Sequence, residues 1–117
     1  MTNIHDFRKP IEKHYSELHR AVEETKEQHG ELEKKELVKR SLRSLAELDP
    51  LPEYMEGKDI DRETELAIET LLNTVVQKGI VPALKASKKH SPFVQDAFHD
   101  TLADKLLPEL ERRNILK

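Results

Sequence analysis

Four residues near the end of the chain have the types that move protons: Asp96, His99, Asp100 and Asp104, in QDAFHDTLADK. An imidazole beside paired carboxylates can act as acid and base when one of the groups is desolvated. His99 follows Asp96 by three residues and Asp100 follows it by four, so a helix presents them together. On a helical wheel they turn away from Val94 and Phe98. The expectation is a solvated outer face rather than a catalytic one.

Metal chemistry is the next candidate. EKHYSELH holds His14 and His19, but five residues at about 100° each leave them about 140° apart around a helix. They flank the apolar stripe on opposite sides and do not share an ion. His19 and Glu23 are a turn apart, yet two ligands fall short of a site. A carboxylate-bridged di-iron bundle needs Glu-x-x-His on two helices, and no Glu here has a His three residues on. There is no Cys. None of Ser16, Ser41, Ser44, Ser87 and Ser91 sits in a Gly-x-Ser-x-Gly turn, and no glycine-rich phosphate loop is present. The expectation is a protein without catalytic activity, metal or cofactor.

The strongest local signal is ELEKKELVKRSLRSL. Five cations, Lys34, Lys35, Lys39, Arg40 and Arg43, lie between positions 34 and 43 against one acid, Glu36. On a helix Lys35, Lys39, Arg40 and Arg43 fall within about 140° of arc, opposite Leu37, Leu45 and Leu48, with Lys34 beyond its edge. Aligned cations can track phosphates, and Lys85, Lys88 and Lys89 offer a second basic cluster. Against a nucleic-acid partner, no aromatic side chain is interleaved to stack on bases, and the formal net charge is −3, whereas such domains are usually basic. The segment just before, Glu23 to Glu33, holds five acids and one lysine. Folded back in a hairpin, it would set those acids against the cations.

These groups must be carried by something. Charged residues make up 37% of the chain and hydrophobic ones 36%, against a usual charged share of about 25%. A lean core of Leu, Val and Ile suits amphipathic helices, and 117 residues suit one domain. The predicted fold is all-α: a single domain of four to five helices, with an N-terminal hairpin (about 6–48), a loop (49–59) and compact C-terminal helices (about 60–114). The first helix is expected from Phe7 to His29, capped by Asp6, with Ile4, Phe7, Ile11, Tyr15, Leu18 and Val22 inward and Gly30 as the residue that ends it. The second is expected from Leu32 to Leu48, stopped by Asp49-Pro50. The third is expected from Arg62 to Lys78 behind Asp59 or Asp61. Ala67, Ile68, Leu71, Leu72, Val75 and Val76 make its apolar side, with Leu66 nearly opposite. Gly79 and Ile80 fit a left-handed helix ending. A short helix over 82–89 follows, then one from Pro92 to about Leu107 behind Ser91. Pro108 kinks it or starts a last turn, and Asn114 with Ile115 closes it.

Six histidines would carry the net charge from −3 to +3 if all were protonated. MTNIHDFRKP has no apolar core of a signal peptide, and no apolar run is long enough to span a membrane. The functional expectation is a cytoplasmic helical protein that works through protein contacts, as regulator, adaptor or assembly factor. It is expected to associate with itself, through the hairpin or through Leu51, Tyr54 and Met55. The alternatives are a nucleic-acid-binding domain using the basic arc and a metal-binding helical protein.

Overall fold

A computed structural model of the chain describes residues 7–48 and 61–115. Among these are six helices and no strand: α1 (Arg8–Lys13), α2 (Tyr15–Gln28), α3 (Lys34–Leu45), α4 (Arg62–Lys78), α5 (Ile80–Ser87) and α6 (Pro92–Arg112). The expected first helix is two. At His14 the backbone swings to φ −118°, ψ 29°, and α2 starts afresh with Leu18 N–H donating to the His14 carbonyl at 2.9 Å. The break lets Ile11 of α1 and Leu18 of α2 both reach the core. It also turns Tyr15 outward. Tyr15 was expected inside, but it is exposed and stacks on His19 with ring centroids 5.9 Å apart.

α4 runs over the expected residues. The Asp61 carboxylate accepts from Thr64 N–H at 2.8 Å, filling one of the free donors of the first turn. At its other end Gly79 has φ 113°, ψ 171°, a region open in practice only to glycine. The positive φ was expected, but the extended ψ sends the chain straight into α5 at Ile80 instead of closing a Schellman turn. α5 thus starts two residues early, and Pro82 stands third in a first turn where its missing N–H has no helical partner to lose. Gly30 does not take a positive φ; α2 ends instead with His29 N–H on the Thr25 carbonyl at 2.8 Å.

Ser91 caps α6 through Val94 N–H at 3.3 Å, and the helix continues through Pro108 to Arg112. Pro108 and Asp104, whose carbonyl loses its partner there, are both exposed, so water can take the place of the missing donor. The expected ending is present: Asn114 has φ 60°, Ile115 N–H reaches Leu110 at 2.9 Å and Asn114 N–H reaches Glu111 at 3.1 Å. This is the paired pattern of a Schellman cap. α3 ends in the same way around Glu47, φ 57°, with Leu48 N–H on Arg43 at 2.8 Å and Glu47 N–H on Ser44 at 3.1 Å.

Buried apolar residues from all six helices form one cluster. Its fully enclosed side chains include Ile11, Val75, Leu84, Phe98, Leu102 and Leu106. α3 packs on α2 and on α6, α4 on α5 and on α6. The two halves of the chain are therefore joined through α3 and α6, not only through an N-terminal hairpin. Arg113 adds a tie at the far end of α6, donating to Glu12 of α1 at 2.6 Å and to Glu109 at 2.5 Å. None of the helices among the described residues is long and apolar enough to cross a membrane.

Candidate functional site

The basic arc lies along the seam between α3 and α6. Lys34 meets Glu111 at 2.5 Å, and Lys35 meets Asp100 at 2.9 Å and Asp104 at 3.7 Å. Lys39 meets Asp96 and Asp100, each at 3.4 Å. Arg43 meets Asp96 at 2.9 Å. As numbers rise along α3 they fall along α6, so the two helices run antiparallel. Lys35, Lys39 and Arg43 recur every four residues, as do Asp96, Asp100 and Asp104. Each set makes one row along its helix, and the rows face each other.

The acids that meet the cations thus come from α6. Among the described residues none of the five cations pairs with an acid of Glu23–Glu33. Arg40 stands on the flank, 3.8 Å from Glu36 one turn back, with a buried Nε that lacks a hydrogen-bond partner. The Asp100 carboxylate, by its hydrogen bond first, holds the Lys35 ammonium above the usual lysine range.

The ladder is dry at one end and wet at the other. The Lys39 and Arg43 side chains are 11% and 13% exposed, whereas Asp104 is 64% exposed. At the dry end sits His99, fully buried. This corrects the expected solvated face. Phe98 and His99 are both enclosed because α6 is covered on two sides, by α3 along the aspartate row and by α4 and α5 along the Phe98 row. Arg43 Nε donates to His99 Nδ1 at 3.2 Å. A guanidinium only donates, so Nδ1 is the lone-pair nitrogen and Nε2 carries the hydrogen. Nε2 lies 3.4 Å from Ser87 Oγ, and the Ser87 hydroxyl donates to the Leu84 carbonyl at 2.5 Å. Burial, then the nearby Arg43 and Lys39 charges, lower the His99 pKa to about 4 against the opposing pull of Asp96.

Serine, histidine and aspartate are present here, but not as a catalytic triad. Ser87 is sealed from solvent and its hydrogen is engaged by a carbonyl. The carboxylate reaches the ring only through Arg43. The arrangement satisfies buried polar groups and fixes the ring in one tautomer. His14 and His19 are not brought together. His14 Nδ1 pairs with Glu17 at 2.8 Å, and His19 lies 3.7 Å from Glu23. Among the described residues no three His, Asp or Glu side chains group as metal ligands.

Leu51, Tyr54 and Met55 lie outside the described residues. Ile115 is buried under the α6 cap. Among the described residues the large apolar side chains that face solvent are Leu66 at 57%, Tyr15 and Val76 at 41% each. Leu66 was expected opposite the core; Val76 was expected within it. His14 Nε2 lies 3.4 Å from where a Cβ on Gly79 would stand. Tyr15 follows His14, and Val76 precedes Gly79 by one turn, so both flank the junction of α1–α2 with α4–α5. Comparison with protein-family models, with curated proteins and with solved structures gave no match.

Proposed function

We propose that this chain is a non-catalytic helical protein that acts through protein contacts, with self-association the first of them. Its class is regulator, adaptor or assembly factor, and its place is the cytoplasm, in keeping with a chain that uses no cysteine. The observation that carries the reading is the outward face of α4. Leu66 faces solvent opposite the buried side of the helix, Ile68, Leu71, Leu72 and Val75, and Val76 is part exposed at the edge of that side, about 15 Å along the axis. Burying a leucine fully is worth about 1.5–3 kcal/mol, which a partner covering Leu66 would gain.

The residues that would support chemistry favour the same reading by being otherwise engaged. His99 and Ser87 are enclosed, and the cations of α3 are matched by α6 carboxylates. That matching weighs against the nucleic-acid alternative, which rested on an open basic arc. Light scattering across a concentration series tests the proposal. A mass that rises with concentration supports it; a strict monomer from micromolar to millimolar concentration contradicts it.

A further inference from the structure

His99 stands where α3, α5 and α6 meet, with both ring nitrogens in use: Nδ1 accepts from Arg43 and Nε2 faces Ser87. The charged groups acting on the ring are few. α3 brings Arg43 and Lys39, and α6 itself brings Asp96. α5 offers the neutral Ser87, and α4 turns Thr64, Ile68, Leu71, Leu72 and Val75 inward, without charge. Asp96 is already shared by Arg43 at 2.9 Å and Lys39 at 3.4 Å. Lys39 also has Asp100 at 3.4 Å, so Asp96, the carboxylate that acts on the ring, is already engaged by two cations before the ring carries any charge.

We infer that His99 is an acid-released latch on the α3–α6 seam. A proton added to Nδ1 expels the Arg43 donor from the ring's lone pair and sets a third cation among the two already there. The ring has no second acceptor to offer, and Ser87 is held by the Leu84 carbonyl. Relief comes from parting α3 from α6, which lets water reach the ring and both α3 cations.

The sign follows from where the proton binds. The folded chain takes it at about pH 4, and a free histidine takes it at 6.5. Between these two values the opened chain holds the extra proton. Stability is therefore whole above pH 6.5 and falls as the pH drops toward 4. In that window the unfolding constant gains about tenfold per pH unit from this one group.

Urea unfolding of the wild type and His99→Gln at steps from pH 7 to pH 4 tests the latch. The other histidines are the same in both proteins, so the difference in slope belongs to position 99. The wild-type constant should climb about tenfold per unit more steeply than that of the variant; equal slopes overturn the inference. Imidazole NMR of the wild type gives a second reading that holds even if His99→Gln does not fold. A neutral ring protonated on Nε2 and persisting below pH 5 is expected. A His99 ring that titrates near 6.5 in the folded protein overturns the latch.

Discussion

Along the α3–α6 seam, lysines, arginine, aspartates and a histidine are drawn against the core, whereas on the outer face of α4 a leucine and a valine are left in water. The usual placement of polar and apolar groups is inverted in both regions. The proposed reading assigns the seam to the fold and the α4 face to association. The seam's charges complete one another, while Leu66 and Val76 remain 57% and 41% exposed. The seam also has its own gradient, since the same cation–aspartate pairing is nearly buried at Arg43–Asp96 and wet at Lys35–Asp104.

The comparison is most exposed at the dry end of the seam. Asp96→Ala leaves Arg43 and Lys39 nearly buried with their shared carboxylate gone, and removing one partner of a buried pair costs about 3–5 kcal/mol. Urea unfolding should place Asp96→Ala near the low end of that range, because Asp96 keeps some contact with solvent. Ser87→Ala comes next. It strands the His99 Nε2–H in a dry site, an unsatisfied donor worth about 1–3 kcal/mol, read as a lower midpoint with an unchanged denaturant slope. The wet end should respond least: Lys35→Ala or Asp104→Ala should cost under about 1 kcal/mol and less in high salt. A loss at Lys35 equal to that at Asp96 would erase the gradient. On α4 the expectation is of another kind. Leu66→Glu should leave the unfolding midpoint within about 0.5 kcal/mol of the wild type while changing the mass in solution.

Much of the fold could be read from residues next to one another. Asp61 and Gly79 bound α4, Ser91 and Pro92 open α6, and Asn114 with Ile115 closes it, because caps and left-handed endings are local chemistry. The α1–α2 break was not legible, since nothing at His14 is a breaker by type; the ring's seat against Gly79 is a contact across 65 positions of sequence. Glu47 hides its Schellman turn in the same way, because its side chain is not one that favours positive φ.

The seam was half legible. The cations of α3 stood out, but their partners were sought in the nearest acids, Glu23–Glu33, rather than in α6. A stronger signal was in the sequence: cations at 35, 39 and 43 and aspartates at 96, 100 and 104 share one four-residue spacing with opposite sign. Two such rows fit each other when their helices pack antiparallel. The burial of His99 could not be read in this way, since a histidine between aspartates looks the same whether its helix is covered on one side or on two.

The central claim is that this protein makes its contacts through the apolar face of α4 and not through the cations of α3. Sedimentation equilibrium of the wild type, Leu66→Glu and Lys35→Glu over one concentration range tests it directly. The account predicts concentration-dependent association of the wild type, weakened at least about tenfold (about 1.4 kcal/mol) by Leu66→Glu and little changed by Lys35→Glu. Association lost with Lys35→Glu and kept with Leu66→Glu would contradict it.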